Sequence, residues 1–321
     1  MSATVGLFVP NFGCPHRCSF CDQRVITGQQ KMLTPEEVKN AANIALESLR
    51  DRAAKTEIAF FGGSFTALPE KEMICLLEAA WPFVKNGQFR GIRCSTRPDC
   101  ISPEILKTLL TYGVTTIELG AQSMDDRVLL QNGRGHTAEQ VRKASEMIHE
   151  ENISLGLQMM TGLPGDTAEG ARKTARAFSE LSPSEVRIYP ALTLEGTEME
   201  KWYREGSYCP PSLEESLELC ADLLDFFEEQ KIRVIRLGLH DSPELKDKLV
   251  AGPYHPAFRE RCESLRWYRY FCRNLQEKKE DSFVFHVPKR RISQAIGQNH
   301  ENIRKLAALG YHVKILPQEV N

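Results

Sequence analysis

The sequence has no long hydrophobic run and almost no net charge. No apolar stretch among its 321 residues approaches the ~20 residues that a membrane-spanning helix needs. Its first residues lack the basic segment and cleavage site of a secretory signal, so no export signal is expected. A net charge of −2, with 41% hydrophobic and 26% charged residues, is ordinary for a globular protein of about two domains.

The ten cysteines do not indicate a disulfide framework. Without an export signal, the chain is expected in the reducing cytoplasm, where thiols remain reduced. There, cysteines are typically metal ligands or buried thiols.

Three of the cysteines, Cys14, Cys18 and Cys21, lie together in "CPHRCSFCDQ", spaced C-x3-C-x2-C. A structural zinc site uses four protein ligands, and no fourth cysteine stands beside these three. Three thiolates on one loop suit a 4Fe–4S cluster with one iron left open. Zinc with a remote fourth ligand, or reactive thiols without a metal, are the alternatives.

The order of predicted elements indicates an α/β fold. Six strand-then-helix alternations run to about residue 190, and their strands are apolar, as in parallel sheets covered on both faces. Right-handed crossovers would curl such a sheet into a partial (β/α)6 barrel of the TIM type. The cysteine loop and the loops after the other strands would then meet at one site.

Beyond residue 195 the pattern changes. We predict a core barrel over residues 1–195, a connecting extension over 196–280 and a small α+β domain over 281–321. From Pro253 to the end, 13 Lys and Arg stand against 7 Asp and Glu, a net +6, which leaves −8 for the rest. A basic end suggests contact with a polyanion, although a solvated charged surface would look the same.

The cysteine loop and fold order resemble the radical S-adenosylmethionine (SAM) superfamily. Later stretches resemble, in order, the radical SAM core of the catalytic subunit of Elongator, which modifies wobble uridine in tRNA: "FFGGSFTALP", "STRPD", "IELGAQSMDDRVLLQNGRGHT", "MMTGLPGDT" and "IYPALTLEGTEMEKWYREGSY". A weaker resemblance is to oxygen-independent coproporphyrinogen oxidase. The resemblance implies a 4Fe–4S cluster, SAM, and an electron donor such as flavodoxin or ferredoxin.

The resemblance also implies site residues. Phe20, which precedes the last cysteine of the loop, would pack near the adenine of SAM, and the "GGSF" turn would hold its amino group. The implied SAM-binding residues are Phe20, Gly62, Gly63, Ser64, Ser95, Gln122, Arg134 and Gln158. No catalytic residue is assigned.

The residue types are consistent with those roles. Glycine lets main-chain groups approach a ligand, and the guanidinium of Arg134 suits a carboxylate. Gln158 can both donate to and accept from ribose hydroxyls. Ser95 stands where both relatives often carry glutamate, and Gln158 where the porphyrin-type relatives carry an acid. A tight turn at the glycines, and buried polar residues with local partners, are the alternatives.

Two features depart from the Elongator subunit. Its cysteine loop is longer than the compact loop of this sequence. Its C-terminal acetyltransferase domain has no counterpart here, so acetyl transfer from coenzyme A is not expected, and the same radical chemistry would act on another substrate.

The end of the chain, "AIGQNHENIRKLAALGYHVKIL", resembles a KH domain, whose I-G-x-x-G loop clamps single-stranded nucleotides. Here His300 replaces the second glycine. The predicted RNA-binding residues are Lys289, Arg290, Arg291, Gly297, His300, Arg304 and Lys305. A packing module without RNA affinity is the alternative.

The sequence therefore predicts a radical SAM enzyme that acts on RNA, with tRNA as the leading substrate. A radical SAM enzyme for a small molecule or porphyrin-type substrate is the first alternative. An RNA-binding protein with a structural or regulatory cluster is the second.

Overall fold

The computed structural model describes residues 4–9, 14, 16–22, 31–275 and 282–318. Contacts within it divide the chain into two compact units. The core unit comprises Met1–Pro210 and Phe227–Gly252, and the C-terminal unit comprises Pro211–Phe226 and Pro253–Asn321. These limits differ from the boundaries expected after residues 195 and 280, since residues of the connecting region belong to both units.

The core unit is built on a parallel sheet of seven strands, in the order β1-β2-β3-β4-β5-β6-β8. The strands are β1 (Thr4–Val9), β2 (Glu57–Gly62), β3 (Gly91–Thr96), β4 (Val114–Gln122), β5 (Ser154–Thr161), β6 (Glu185–Pro190) and β8 (Arg233–Leu237). The predicted α/β class and partial barrel are confirmed, and the sheet has one strand more than the six strand-helix units predicted. Strand β8, which lies beyond residue 195, joins the sheet as its seventh member, because it pairs in parallel with β6.

Helices follow the strands as crossovers, and a short strand pair lies beside them. The helices of this unit are α1 (Pro35–Leu49), α2 (Glu70–Lys85), α3 (Pro103–Thr111), α4 (Asp126–Gln131), α5 (Ala138–Glu150), α6 (Ala168–Glu180), α7 (Glu198–Arg204) and α9 (Pro243–Lys248). Strands β7 (Thr193–Leu194) and β9 (Leu249–Ala251) pair antiparallel. Helix α8 (Leu213–Glu229) has residues in both units.

Local sequence signals explain where α1 begins. The Glu37 backbone N–H donates to Thr34 Oγ1 over 3.3 Å, and the Thr34 N–H donates to Glu37 Oε2 over 2.8 Å. This is a capping box, and Pro35 occupies the first turn, where its missing N–H costs nothing.

The inside of the sheet carries a buried charge network. Arg93 lies on β3 and is 4% exposed; it donates to Glu57 over 2.8 Å, to Glu118 over 2.7 Å and to Glu185. Arg187 on β6 donates to both carboxylate oxygens of Glu118. Burial alone would raise the pKa of Glu118, but Arg187 and then Arg93 hold it below its usual range. Removing one partner would leave a buried charge uncompensated.

The C-terminal unit contains a β-α-α-β segment. Its elements are α10 (Phe258–Leu275), β10 (Ser282–Pro288), α11 (Ile292–Ile296), α12 (Glu301–Ala308) and β11 (His312–Gln318), with a 3-10 turn at Lys289–Arg291. Strands β10 and β11 pair in parallel. A core of Phe271, Leu275, Phe283, Val287, Ala295 and Leu306 lies between α10, the two short helices and the strands. Helix α10 supplies two of these side chains, so the described residues 282–318 pack against α10.

None of the helices in the described part of the chain is long and apolar enough to cross a membrane.

Candidate functional site

The three clustered cysteines line one cavity at the carboxyl ends of the strands. Cys18 is buried, Cys14 and Cys21 are half-buried, and the cavity has a volume of about 1370 Å³. Helix α7 contributes Glu198, Glu200, Lys201 and Arg204 to its wall. All eight predicted SAM-binding residues line it too: Phe20, Gly62, Gly63, Ser64, Ser95, Gln122, Arg134 and Gln158.

The "GGSF" turn packs against the end of β1. A Cβ added to Gly62, whose φ is +103°, would lie 2.6 Å from the Val9 carbonyl oxygen, so no side chain fits there. The Gly63 N–H donates to the same oxygen over 2.7 Å and is therefore engaged within the protein. Ser64 Oγ lies 3.5 Å from Cys14 Sγ. The two glycines thus bring the turn up to the cysteine loop.

Two side chains of the cavity carry buried polar atoms without a partner. Gln122 Oε1 and Arg134 Nε are shielded from solvent and make no hydrogen bond in the structure. Gln122 also has a φ of +68°, which is unusual for a residue other than glycine. A buried acceptor and a buried donor facing no protein group suit a ligand with both a carboxylate and hydroxyl or ammonium groups, as SAM has.

Gln158 differs from the sequence-based expectation. Its Nε2 donates to Glu118 Oε2 over 2.9 Å and to Ser95 Oγ over 3.2 Å. Both N–H bonds are engaged, so only the amide oxygen remains for a ligand. Gln158 can accept from a ribose hydroxyl but, in this arrangement, cannot donate to one.

The terminal nitrogens of Arg134 are engaged within the protein. Its Nη1 donates to Cys18 Sγ over 3.1 Å, and its Nη2 donates to the Gly120 carbonyl. The guanidinium carbon lies 6.0 Å from the centre of the Phe20 ring. The side chain predicted to hold the SAM carboxylate is thus bonded to a cysteine sulfur, with Nε and part of the terminal nitrogens left over.

The residues present fit the cluster. Within the described ranges, no group of three His, Cys, Asp or Glu side chains stands where it could hold a single metal ion. A cubane spreads its thiolates over separate irons, so its ligands need not converge on one point. Three cysteines around one cavity, with polar donors beside them, meet that requirement.

The predicted RNA-binding residues lie in the C-terminal unit. Lys289, Arg290, His300, Arg304 and Lys305 are exposed, and Arg291 is half-buried. Lys305 pairs with Glu301 over 2.7 Å, and Arg291 lies 3.6 Å from Glu263. These six basic or imidazole side chains lie in one segment of the chain. Acidic neighbours partly neutralise the local positive charge of two of them, Lys305 and Arg291.

Gly297 serves packing in this structure, and its predicted contact with an RNA backbone stays a prediction. It is buried with a φ of +80°, and an added Cβ would lie 2.9 Å from Ser264 Oγ and 3.2 Å from Asn302. Asn302 donates to Ser264 and to the Ala295 carbonyl, which closes the loop against α10. The glycine is therefore required for the fold of this loop.

The charge of the C-terminal unit also corrects the sequence-based expectation. Residues 211–226 belong to this unit and contain five acidic and no basic residues. The whole unit then has 13 Lys and Arg against 12 Asp and Glu, a net +1 instead of +6. Three of the acids pair with α10: Glu218 and Asp222 pair with Arg269, the latter over 2.8 Å, and Asp225 pairs with Arg266 over 2.6 Å.

Sequence reasoning missed three residues of the site region. Asn132 is completely buried and bonds to the cysteine loop, Arg97 donates to the Arg134 carbonyl, and Glu118 positions Gln158. A signal was available for Glu118, because a charged residue within an apolar parallel strand indicates a buried partner.

A family model described as the radical SAM superfamily matches residues 8–178, and one described as the radical SAM C-terminal domain matches residues 183–266. The chain belongs to the radical SAM superfamily. It is therefore an enzyme of that superfamily, whose cofactors are a 4Fe–4S cluster and SAM, as predicted.

Curated relatives support the finer resemblance. A tRNA uridine(34) acetyltransferase of Methanocaldococcus jannaschii is 33% identical over 68% of this chain and 47% of its own length. An uncharacterized protein of the same organism is 29% identical over 72% of this chain and 74% of its own. The predicted likeness to Elongator-type radical SAM cores is confirmed. The chain spans about half the length of the acetyltransferase.

A solved structure shares the fold. The Elp3 protein of Methanocaldococcus infernus with an N-terminal deletion covers 85% of this chain and 64% of its own, with a TM-score of 0.65 and 22% identity. At this identity the likeness shows the fold alone, and it supports the partial barrel described above.

Proposed function

We propose that this protein is an RNA-modifying radical SAM enzyme, with a nucleoside of tRNA as its substrate, acting in the cytoplasm. The observation that carries the proposal is the size of the cysteine-lined cavity. Its volume of about 1370 Å³ exceeds the roughly 300–1,000 Å³ of a site for one small ligand, so SAM and a nucleoside can share it.

The chain's own residues would bind SAM around the open iron. Gln122 and Gln158 would each offer an amide oxygen as acceptor. When bound and reduced, the cluster would supply the one electron needed for reductive cleavage of a carbon–sulfur bond of SAM, the step that precedes hydrogen-atom abstraction from the substrate in this superfamily.

The choice of RNA rests on the relatives and on the C-terminal unit. Curated relatives carry the name tRNA uridine(34) acetyltransferase or Elongator complex protein 3. The exposed cations Lys289, Arg290 and Arg304 stand near the KH-like loop and would contact phosphates. We expect few such contacts, since the unit has a net charge of only +1.

A small-molecule or porphyrin-type substrate is the second candidate. The near-neutral C-terminal unit and the buried Gly297 favour it, because both weaken the expected RNA clamp. In this case the KH-like segment has a packing role.

The deciding experiment compares tRNA nucleosides from a deletion strain and its parent by mass spectrometry. The proposal expects one modified nucleoside to be missing, and purified enzyme with SAM and a reductant to restore it. RNA should also accelerate the formation of 5′-deoxyadenosine. An unchanged nucleoside profile together with RNA-independent 5′-deoxyadenosine formation would make the second candidate the better one.

A further inference from the structure

A turn at residues 132–135 packs against the cysteine loop and is hydrogen-bonded to it. The Ser19 N–H donates to the Asn132 carbonyl over 3.1 Å, and Ser19 Oγ donates to Asn132 Oδ1 over 2.7 Å. Cβ atoms added to Gly133 and Gly135 would lie 3.2 Å from the Arg17 carbonyl oxygen and 2.3 Å from the His16 ring. The two glycines of "NGRG" therefore leave the space through which the cysteine loop passes.

Asn132 joins this turn to two other elements. Its side chain is completely buried, and its Nδ2 donates to the Val128 carbonyl over 2.8 Å and to the Pro164 carbonyl over 2.9 Å. Its Oδ1 accepts from Ser19. One amide thus ties the cysteine loop to helix α4 and to the loop after β5, with all its hydrogen-bonding groups engaged. No other side chain of this size supplies two donors and an acceptor in that arrangement.

Arg134 extends from the same turn to a cysteine. Its Nη1 lies 3.1 Å from Cys18 Sγ, and its side chain is 6% exposed. Arg97 donates to the Arg134 carbonyl and is itself held by Asp99 over 2.9 Å and 3.0 Å. A guanidinium is charged at all relevant pH values, so a positive charge is fixed beside one sulfur of the loop.

We propose that Asn132–Gly135 is a clamp that positions the cysteine loop, and that Arg134 acts through Cys18 to set the reduction potential of the cluster. A hydrogen bond and a positive charge on a ligating sulfur favour the added electron, because both draw negative charge from the cluster. Through its Nη1, Arg134 is thus a positioning residue for the cluster, and its Nε is left for a ligand. The inference rests on the cluster of the superfamily and is independent of the proposed RNA substrate.

The first test measures the reduction potential of the reconstituted cluster without SAM, by a redox titration followed by electron paramagnetic resonance. Arg134→Gln removes the charge and should make the potential more negative, whereas Arg134→Lys keeps the charge and should shift it less. Arg127→Gln, at an exposed arginine paired with Asp125, is the control and should leave it unchanged. Equal potentials in all four proteins, with only SAM affinity lowered in the Arg134 variants, would overturn the proposed action on Cys18.

The second test measures the clamp in the full chain before cluster reconstitution. Ser19→Ala and Asn132→Ala should raise the rate at which iodoacetamide alkylates Cys18. Mass spectrometry of the alkylated protein measures this rate. Loss of one hydrogen bond corresponds to about a fivefold increase. The exposed Cys209 is the internal reference, and its rate should not change.

Ser19→Ala keeps this test decisive if Asn132→Ala does not fold, because it removes only one hydroxyl. Cys18 alkylation at the wild-type rate in every folded variant would overturn the clamp. A selective increase at Cys18 in Ser19→Ala supports it, whatever the substrate of the enzyme is.

Discussion

Gln158 donates one amide hydrogen to the buried carboxylate of Glu118, over 2.9 Å, on the neighbouring strand. A carboxylate only accepts, so the amide nitrogen must face Glu118 and the amide oxygen must face away. Glu118 is itself bonded to Arg93 and Arg187. The charge network inside the barrel therefore orients a side chain at the edge of the cavity.

Replacing Gln158 by Glu would test this relationship. Gln158→Glu puts a second carboxylate beside Glu118, and like charges at this distance raise the pKa of one of them. The folded-state pKa of the new carboxyl would exceed its unfolded value, so stability is retained at low pH and lost as pH rises through that range. We expect the free energy of unfolding of Gln158→Glu to be about 1–3 kcal/mol lower at pH 8 than at pH 5. Urea unfolding at both pH values measures it.

Gln158→Met is the matched control, because it removes the hydrogen bonds without adding a charge. It should be destabilised by a similar amount at both pH values. A pH-independent effect in Gln158→Glu would contradict the proposed orientation.

The cluster prediction concerns the three thiols that line the cavity. Anaerobic reconstitution should load about four irons per chain, the number in a cubane. Replacing Cys14, Cys18 and Cys21 together by alanine should abolish iron binding and the brown colour. Cys209→Ala changes an exposed cysteine outside the cavity and should keep both. Iron analysis and absorption spectra check this, and full iron retention in the triple variant would reject the assignment.

SAM binding should depend on the unpartnered oxygen of Gln122. Gln122→Met has a similar shape but removes the acceptor, so a ligand donor would be buried without a partner. We expect SAM affinity to fall about tenfold, the effect of one lost hydrogen bond of about 1.5 kcal/mol. Equilibrium binding to the cluster-loaded protein measures it. Gln88→Met changes a residue on an exposed turn and should bind SAM like the wild type. Equal SAM affinity of the Gln122 and Gln88 variants would show that Gln122 does not contact SAM.

Asp166 should lower the stability of the protein at neutral pH. Burial raises the pKa of Asp166 to about 6, and its Oδ2 has no partner. Because the folded-state pKa is raised above the ordinary 3.8, stability is lost as pH rises between these values. Asp166→Asn should therefore be more stable than the wild type by about 1–3 kcal/mol at pH 7.5 and equal to it near pH 4.

Asp125→Asn is the control with the opposite sign. The hydrogen bond from Arg127 holds the pKa of Asp125 below its usual range, so its contribution is present at neutral pH and lost on acidification. This variant should be less stable than the wild type at pH 7.5. Thermal unfolding at both pH values distinguishes the two, and a destabilised Asp166→Asn at pH 7.5 would contradict the prediction.

RNA binding by the C-terminal unit should be weak and sensitive to salt. Phosphate contacts release counterions, so affinity should fall roughly tenfold or more between low and physiological salt. Lys289→Glu with Arg290→Glu should weaken binding and lower the salt slope by about 0.9 for each phosphate that is no longer neutralised. Lys39→Glu with Lys143→Glu makes the same charge change on helices of the core unit and should have little effect. Anisotropy titrations with tRNA at two salt concentrations measure this, and equal binding by both double variants would reject the assigned surface.

The sequence by itself determined the features that depend on neighbouring residues. The strand and helix order follows from short apolar runs, helix periodicity and caps such as Thr34 with Glu37, all encoded within a few residues. The C-x3-C-x2-C spacing implied a cluster because all three ligands lie on one loop. Motifs placed after strands implied a shared site, because parallel strands end at the same edge of a sheet.

Only the tertiary structure decided which groups those side chains contact. Gln158 meets Glu118, Asn132 meets Ser19 and Gly297 meets Ser264 across separations of 40, 113 and 33 positions in the chain. Strand register and loop packing set these pairings, and neither can be read from a local pattern. For the same reason, the acidic segment 211–226 offsets the basic C-terminal end, because folding places both in one unit.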